Sequence, residues 1–352
     1  MARVRTIEAP LSRARLLELI ADFARRRVAV VGDLMADEFI YGRVERVSRE
    51  APVLILRYDT TILVPGGAGN AADNVADLGA RVTLAGIAGR DEPGRRMLGA
   101  LHERVGRSLV KSLAAYDTPI KTRILAGGVH SAKQQVVRID RITNGSPDHE
   151  LREIFEEQAV RAVSRCEALL VSDYGSGLVT PALVGRLRRL LWTRSNGRRP
   201  PILVDSRYAV ENYRGVTACT PNESEVEQRL GIRIGDDRAA LERAGREMLA
   251  RARMQALLIT RGSRGMALFE ADRPTRHIPI FGSDEIADVT GAGDTVIAAM
   301  TLALAAGASF YEAARLANYA GGLVVMKRGT ATVSARELAD AVKRDSALEE
   351  TP

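Results

Sequence analysis

The chain has 352 residues, 46% of them hydrophobic, and a formal net charge of +7, which is enough apolar material for a sizeable buried core. Only five of its 51 basic residues are lysines, and the arginines are dispersed with no basic block interleaved with aromatics, so nucleic acid is not expected as a partner. The longest apolar run, 296–307, falls short of the roughly 20 residues that span a bilayer, and Cys166 and Cys219 are too few for a disulfide framework; no membrane partner and a reducing, cytoplasmic setting are expected.

Residues 1–27 place leucines among arginines. Glu8, Glu18 and Asp22, and the lack of an apolar stretch with a small-residue cleavage site, argue against a targeting peptide and for an N-terminal helical extension. A main domain is expected over 28–345. It opens with a strand at 28–31, then successive strands within 39–64. A helix follows at 67–78, with Ala68, Ala71, Ala72, Val75 and Leu78 at helical spacing. After a strand at 82–86 and a helix at 92–105, a second run of strands occupies 109–140. Helices at 149–165 and 181–191 flank a strand at 168–172. Strands at 202–205, 216–219 and 256–260 alternate with helices at 223–230 and 238–253, and two last helices lie at 291–306 and 310–326. This alternation predicts an α/β fold, a parallel sheet covered by helices on both faces. The two helix-free stretches, 39–64 and 109–140, predict a small second sheet.

The most informative segment is Asp288-Val-Thr-Gly-Ala-Gly-Asp-Thr-Val296. Gly291 and Gly293 allow close approach of a ligand to the backbone, and the first N–H groups of a helix, here at Gly291, Ala292 and Gly293, have no intrahelical partner, so anions bind there. Asp294 competes with an anion for that positive end, which suits a base that takes a proton from an attacking hydroxyl while the N–H groups stabilise a transferring phosphoryl group. A plain helix cap accounts for Gly-Ala-Gly-Asp alone. Two further segments shift the balance: Pro65-Gly-Gly-Ala-Gly-Asn70 opening a helix, and Thr220-Pro-Asn-Glu-Ser-Glu225, in which Asn222 and Glu225 share a helix face. His102, His130, His149 and His277 are isolated from one another, which argues against a zinc site built by the protein.

The Gly-Gly-x-x-Asn loop, the Asn-x-x-Glu pair and the Gly-Ala-Gly-Asp helix start, in that order, resemble the PfkB (ribokinase-like) carbohydrate kinases over about 28–334. Val31-Gly-Asp-Leu-Met-Ala-Asp37, Tyr41-Gly42, Ser48-Arg-Glu-Ala-Pro-Val53, Gln134-Gln-Val-Val-Arg-Ile-Asp140 and Ser172-Asp-Tyr174 with Gly177 are similar to the heptose 7-phosphate kinase branch. Arg49, Ser206-Arg207 and the 127–131 loop depart from that branch. The resemblance implies a ribokinase-like three-layer α/β/α fold with a small β-sheet lid, ATP and Mg²⁺ as cofactors, and a homodimer through the lid strands. It implies phosphorylation of the anomeric C1 hydroxyl of a sugar phosphate, D-glycero-D-manno-heptose 7-phosphate. A kinase of the family acting on a pentose, hexose phosphate or nucleoside, and a non-catalytic sugar- or nucleotide-binding protein, are the competing readings. No His-x-Gly-His motif of a nucleotidyltransferase half is present, and that step is expected on another protein.

Carried onto this chain, the resemblance makes Asp294 the base and Gly291, Ala292 and Gly293 the anion hole. Asn222 and Glu225 organise Mg²⁺ and its waters, although a capped helix start explains the same pair. Thr260, Gly262, Gly265 and Asn318 lie on the nucleotide side. Asp288 and Thr290 resemble positions that bind a monovalent cation, K⁺. The sugar falls to Asp33, Asp37, Gly66, Gly67 and Asn70, and a substrate phosphate to Lys133, Arg138 or Arg207, because such an anion needs cationic partners.

Overall fold

The computed structural model describes residues 11–127, 133–142, 146–195, 197–207, 210–282, 288–327 and 329–348. His130 and the rest of the 128–132 loop lie outside them. The strands are β1 (Arg27–Gly32), β2 (Leu34–Val47), β3 (Leu54–Gly67), β4 (Arg81–Gly89), β5 (Val105–Leu113), β6 (Ile120–Gly127), β7 (Gln134–Arg141), β8 (Ala168–Asp173), β9 (Ile202–Ser206), β10 (Ala218–Cys219), β11 (Ala256–Thr260), β12 (Met266–Glu270) and β13 (Arg276–Ile278). The helices are α1 (Arg13–Asp22), α2 (Ala68–Asp77), α3 (Glu92–Ala100), α4 (His149–Ala162), α5 (Pro181–Arg194), α6 (Glu223–Leu230), α7 (Arg238–Ala252), α8 (Ala292–Ala305), α9 (Phe310–Val324) and α10 (Ala335–Arg344).

Strand β1 sets the layering. Its residues alternate in direction: Val28 and Val30 join a core with α1, α2, α8, α9 and α10, whereas Ala29 and Val31 join one with α4, α5 and α7, as a period of two demands of a strand buried on both faces. The large sheet runs β13-β12-β11-β10-β9-β8-β1-β4-β5. It is parallel from β5 to β11, as expected, and β12 and β13 extend it at one end in antiparallel pairing. No helix among the described residues is long and apolar enough to cross a membrane.

The small sheet runs β3-β2-β6-β7. Its second half starts later than expected. Val105–Leu113 pairs in parallel with β4 in the large sheet, so of the stretch 109–140 only β6 and β7 belong to the small one. The helix expected to reach 105 stops at Ala100 for the same reason, since Val105 already begins β5. Leu34–Phe39 of β2 is largely buried, while the far half of the strand is exposed.

Strands β1, β8, β9 and β11 end at Gly32, Asp173, Ser206 and Thr260, and helices α2, α6 and α8 begin at the same edge. Carboxyl ends of parallel strands and amino ends of helices converge there, the side where open α/β sheets bind ligands.

Candidate active site

Gly291 adopts the left-handed conformation at φ 78° as the N-cap of α8. A Cβ there would stand 2.7 Å from Asn70 Nδ2 and in a backbone shape L-residues avoid. Gly293, two residues further on, is open: a Cβ added to it would meet nothing within 4 Å. It faces a cavity of about 350 Å³. The Ala292 N–H is donated to the Val289 carbonyl at 3.2 Å, and the turn at Gly293 opens onto a space large enough for a ligand.

Asn222, Glu225, Thr260, Gly262, Gly265 and Asn318 line this same cavity with residues 291–294. The Asn222 side chain accepts from the Glu225 N–H at 2.9 Å, and Glu225 accepts from the Asn222 N–H at 2.9 Å. That capping box fixes the start of α6 and leaves both side chains on the cavity wall, so the cap and the site coincide. Thr260 to Gly265 turns from β11 into β12, with Gly262 and Gly265 at φ 57° and 77°. Asn318 is buried and donates to the Pro279 carbonyl at 3.0 Å.

Asp294 is 4% exposed. It accepts from Asn70 Nδ2 at 2.6 Å, and the Tyr174 hydroxyl lies 3.4 Å away. Burial pushes its carboxyl up to about 7; Asn70, Tyr174 and Arg207 oppose the rise and Asp37 adds to it. A base that titrates there is matched to proton transfer near neutral pH.

A second cavity, of about 360 Å³, holds Asp33, Lys121, Arg138, Tyr174 and Arg207 on its walls. Tyr174 and Arg207 line both cavities. The Lys121 ammonium lies 4.4 Å and the Arg207 guanidinium 5.0 Å from the centre of the Tyr174 ring. Burial and the neighbouring Arg207 lower the Lys121 ammonium to about 8, against the pull of Asp37. Arg138 pairs with Asp140, two residues along β7, and both line the cavity.

Several expected residues stand differently. Lys133, just before β7, pairs with Asp59 of β3 at 2.7 Å and lines neither cavity; that carboxylate has taken its charge. Asp33 lines the second cavity, but its oxygens accept from Ser176 Oγ at 2.5 Å and from the Tyr174 and Ser176 N–H groups, so it anchors the 174–176 loop rather than offering two open oxygens. Asp37 is paired with Arg123 at 2.6 Å. Gly66 and Gly67 serve close packing: a Cβ would meet the Asp37 carboxylate at 2.5 Å and the Asp33 carbonyl at 2.5 Å. Asp288 accepts from the Thr290 and Gly329 N–H groups, tying two loops together.

Sequence reasoning assigned no role to Tyr174, Lys121 or Asp205. Tyr174 lies within Ser172-Asp-Tyr174. Lys121 carried a faint signal as one of five lysines in an arginine-rich chain. Asp205 immediately precedes Ser206-Arg207 and lines the first cavity, where burial and then Asp294 and Glu225 push its carboxyl well up.

The chain matches the family "pfkB family carbohydrate kinase" over residues 25–337. It is 42% identical over 314 residues to the bifunctional protein HldE of Geobacter metallireducens, covering 88% of this chain and 61% of that protein. To the bifunctional protein HldE of Caulobacter vibrioides it is 41% identical over 328 residues, covering 92% and 65%. Phosphofructokinase-2 from Escherichia coli in complex with potassium has the same fold, with a TM-score of 0.69 at 18% identity over 90% of this chain and 98% of that one. Arabidopsis thaliana ribokinase complexed with ribose and ATP gives 0.68 at 19%, over 90% and 99%. The chain spans less than two thirds of the length of the two curated relatives.

Proposed function

The chain belongs to the pfkB family of carbohydrate kinases, and from that premise we propose that it phosphorylates the anomeric C1 hydroxyl of D-glycero-D-manno-heptose 7-phosphate with ATP as donor. One observation carries the reading: Asp294 and the start of α8 line the first cavity, and Tyr174, whose hydroxyl lies 3.4 Å from Asp294, lines with Arg207 both that cavity and the second, whose walls also hold Lys121 and Arg138. A nucleotide in the first cavity and a sugar phosphate in the second bring the donor phosphoryl and the acceptor hydroxyl to Asp294. The cations suit a substrate that carries a phosphate away from the reacting end.

In this mechanism Asp294 accepts the C1 hydroxyl proton, and the N–H groups of Gly291 and Gly293 stabilise the charge on the phosphoryl group in flight, the Ala292 N–H being already donated to the Val289 carbonyl at 3.2 Å. Asn70 and Tyr174 hold the carboxylate. Asp205, Asn222 and Glu225 line the first cavity and would hold Mg²⁺, Asn222 and Glu225 through its waters because each already accepts a backbone N–H at the start of α6. When bound with the nucleotide, that ion neutralises charge on its phosphates. Asp288 and Thr290 remain the candidates for a monovalent cation, and no step depends on them.

The small sheet acts as a lid and as the contact between two copies. Val44, Val47, Leu54, Tyr58, Ile62, Val136, Val137 and Ile139 expose apolar side chains on its strands, and apolar surface gathered on one element is what a partner covers. The chemistry is tested by ³¹P NMR of the product: a second phosphorus resonance coupled to the anomeric proton is expected, and a phosphate on any other carbon would overturn the regiochemistry.

A further inference from the structure

We infer that Asn74 and Thr295 are positioning residues for the reaction, because together they fix which end of the Asn70 amide faces Asp294. The inference rests on the reading of Asp294 as the base. Four side chains from α2 and α8 form a directed chain. Thr295 Oγ1 donates to Asn74 Oδ1 at 2.7 Å, Asn74 Nδ2 donates to Asn70 Oδ1 at 3.1 Å, and Asn70 Nδ2 donates to Asp294 Oδ2 at 2.6 Å. All four are buried: Asn74 and Thr295 are 0% exposed, Asn70 2% and Asp294 4%.

The direction of the chain is set by a group that cannot reverse. Asn74 Nδ2 also lies 2.9 Å from the Asn70 backbone carbonyl, which only accepts, so the amino end of Asn74 must point at Asn70. Its oxygen then faces Thr295, whose hydroxyl supplies the proton. Asn70 must in turn give its oxygen to Asn74, which leaves its amino end for Asp294. Without this hold the Asn70 amide is free to turn over. Its oxygen would then face the carboxylate, a contact that repels the ionised form and suits the protonated one. The other groups facing Asp294, namely Tyr174, Asp37, Asp205 and Arg207, lie outside this chain of hydrogen bonds and stay as they are.

The test measures ADP release with ATP and D-glycero-D-manno-heptose 7-phosphate across pH for Asn74→Leu, Thr295→Val, Thr295→Ser and Asp294→Asn, with thermal melting of each. Asn74→Leu should lower kcat by roughly ten- to a hundredfold with KM changed by less than about threefold, and should move the acid limb of the kcat profile to higher pH. Thr295→Val should shift the same limb in the same direction by less, and Thr295→Ser, which keeps the hydroxyl, should restore it. If Asn74→Leu does not fold, the Val and Ser pair decides. An unchanged acid limb in folded Asn74→Leu, or in Thr295→Val where Asn74→Leu is unfolded, overturns the inference, even if melting temperature falls. Activity retained in Asp294→Asn removes the underlying base; an inactive Asp294→Asn beside wild-type profiles in the relay variants removes the relay alone.

Discussion

Asp294 carries a cost that the fold tolerates for its chemistry. In the folded chain its carboxyl is held up to about 7, whereas the unfolded chain releases that proton near an ordinary value of about 3.9. Between those values the native state binds more protons than the unfolded one, so this group's contribution to stability falls as pH rises and the full cost is present above pH 7. Asp294→Asn should therefore melt higher than the parent protein at pH 8, with the gain shrinking toward pH 4; a gain that is constant with pH would remove the raised carboxyl. Gly293 makes a complementary case. With nothing within 4 Å of an added Cβ, Gly293→Ala should hold or raise stability by roughly 0.5–1 kcal/mol through helix propensity. The same methyl enters the cavity, so the KM for ATP should rise. Lower stability with an unchanged KM would contradict a ligand at this turn.

At the scale of elements, the start of α6 separates two roles that coincide in Asn222 and Glu225. Gln can replace Glu in a capping box, so Glu225→Gln should leave melting nearly unchanged while raising the Mg²⁺ concentration needed for half-maximal activity. A drop in melting with an unchanged Mg²⁺ requirement would assign the pair to capping alone. The boundaries of α6 and β11 were legible to the residue, because capping and β-branched runs are local signals. Strands β12 and β13 and helix α10 were not. β12 and the three-residue edge strand β13 are held by pairing outward from β11, and such tertiary pairing decides the conformation more than local pattern does. The misassigned start of the small sheet has the same origin: nothing in Val105–Leu113 tells which sheet its edge will join.

For the whole molecule, the motif residues around α8, α6 and the 260–265 turn converge on one cavity, and their order along the chain was readable before the fold. The cations of the second cavity were only half readable. Lys133 and Lys121 stand on neighbouring segments of similar composition, but Asp59 captures Lys133 while the burial of β6 turns Lys121 toward Tyr174, a choice made by tertiary pairing. The exposed apolar face of the small sheet predicts a dimer in solution, and Val137→Glu, at an exposed position of β7, should give a monomer by light scattering; a monomeric parent protein would remove that contact.

The proposed kinase reads a phosphate at the far end of its sugar. Its most direct test is kcat/KM, from ADP release, for D-glycero-D-manno-heptose 7-phosphate against the unphosphorylated heptose, ribose, fructose 6-phosphate and adenosine. A charge-assisted contact contributes about 1.5–3 kcal/mol, so the heptose phosphate should exceed the unphosphorylated heptose by roughly ten- to a hundredfold or more. Lys121→Gln or Arg207→Ala should erase much of that margin. A clear preference for adenosine or ribose, or equal use of heptose with and without its phosphate, would contradict the account.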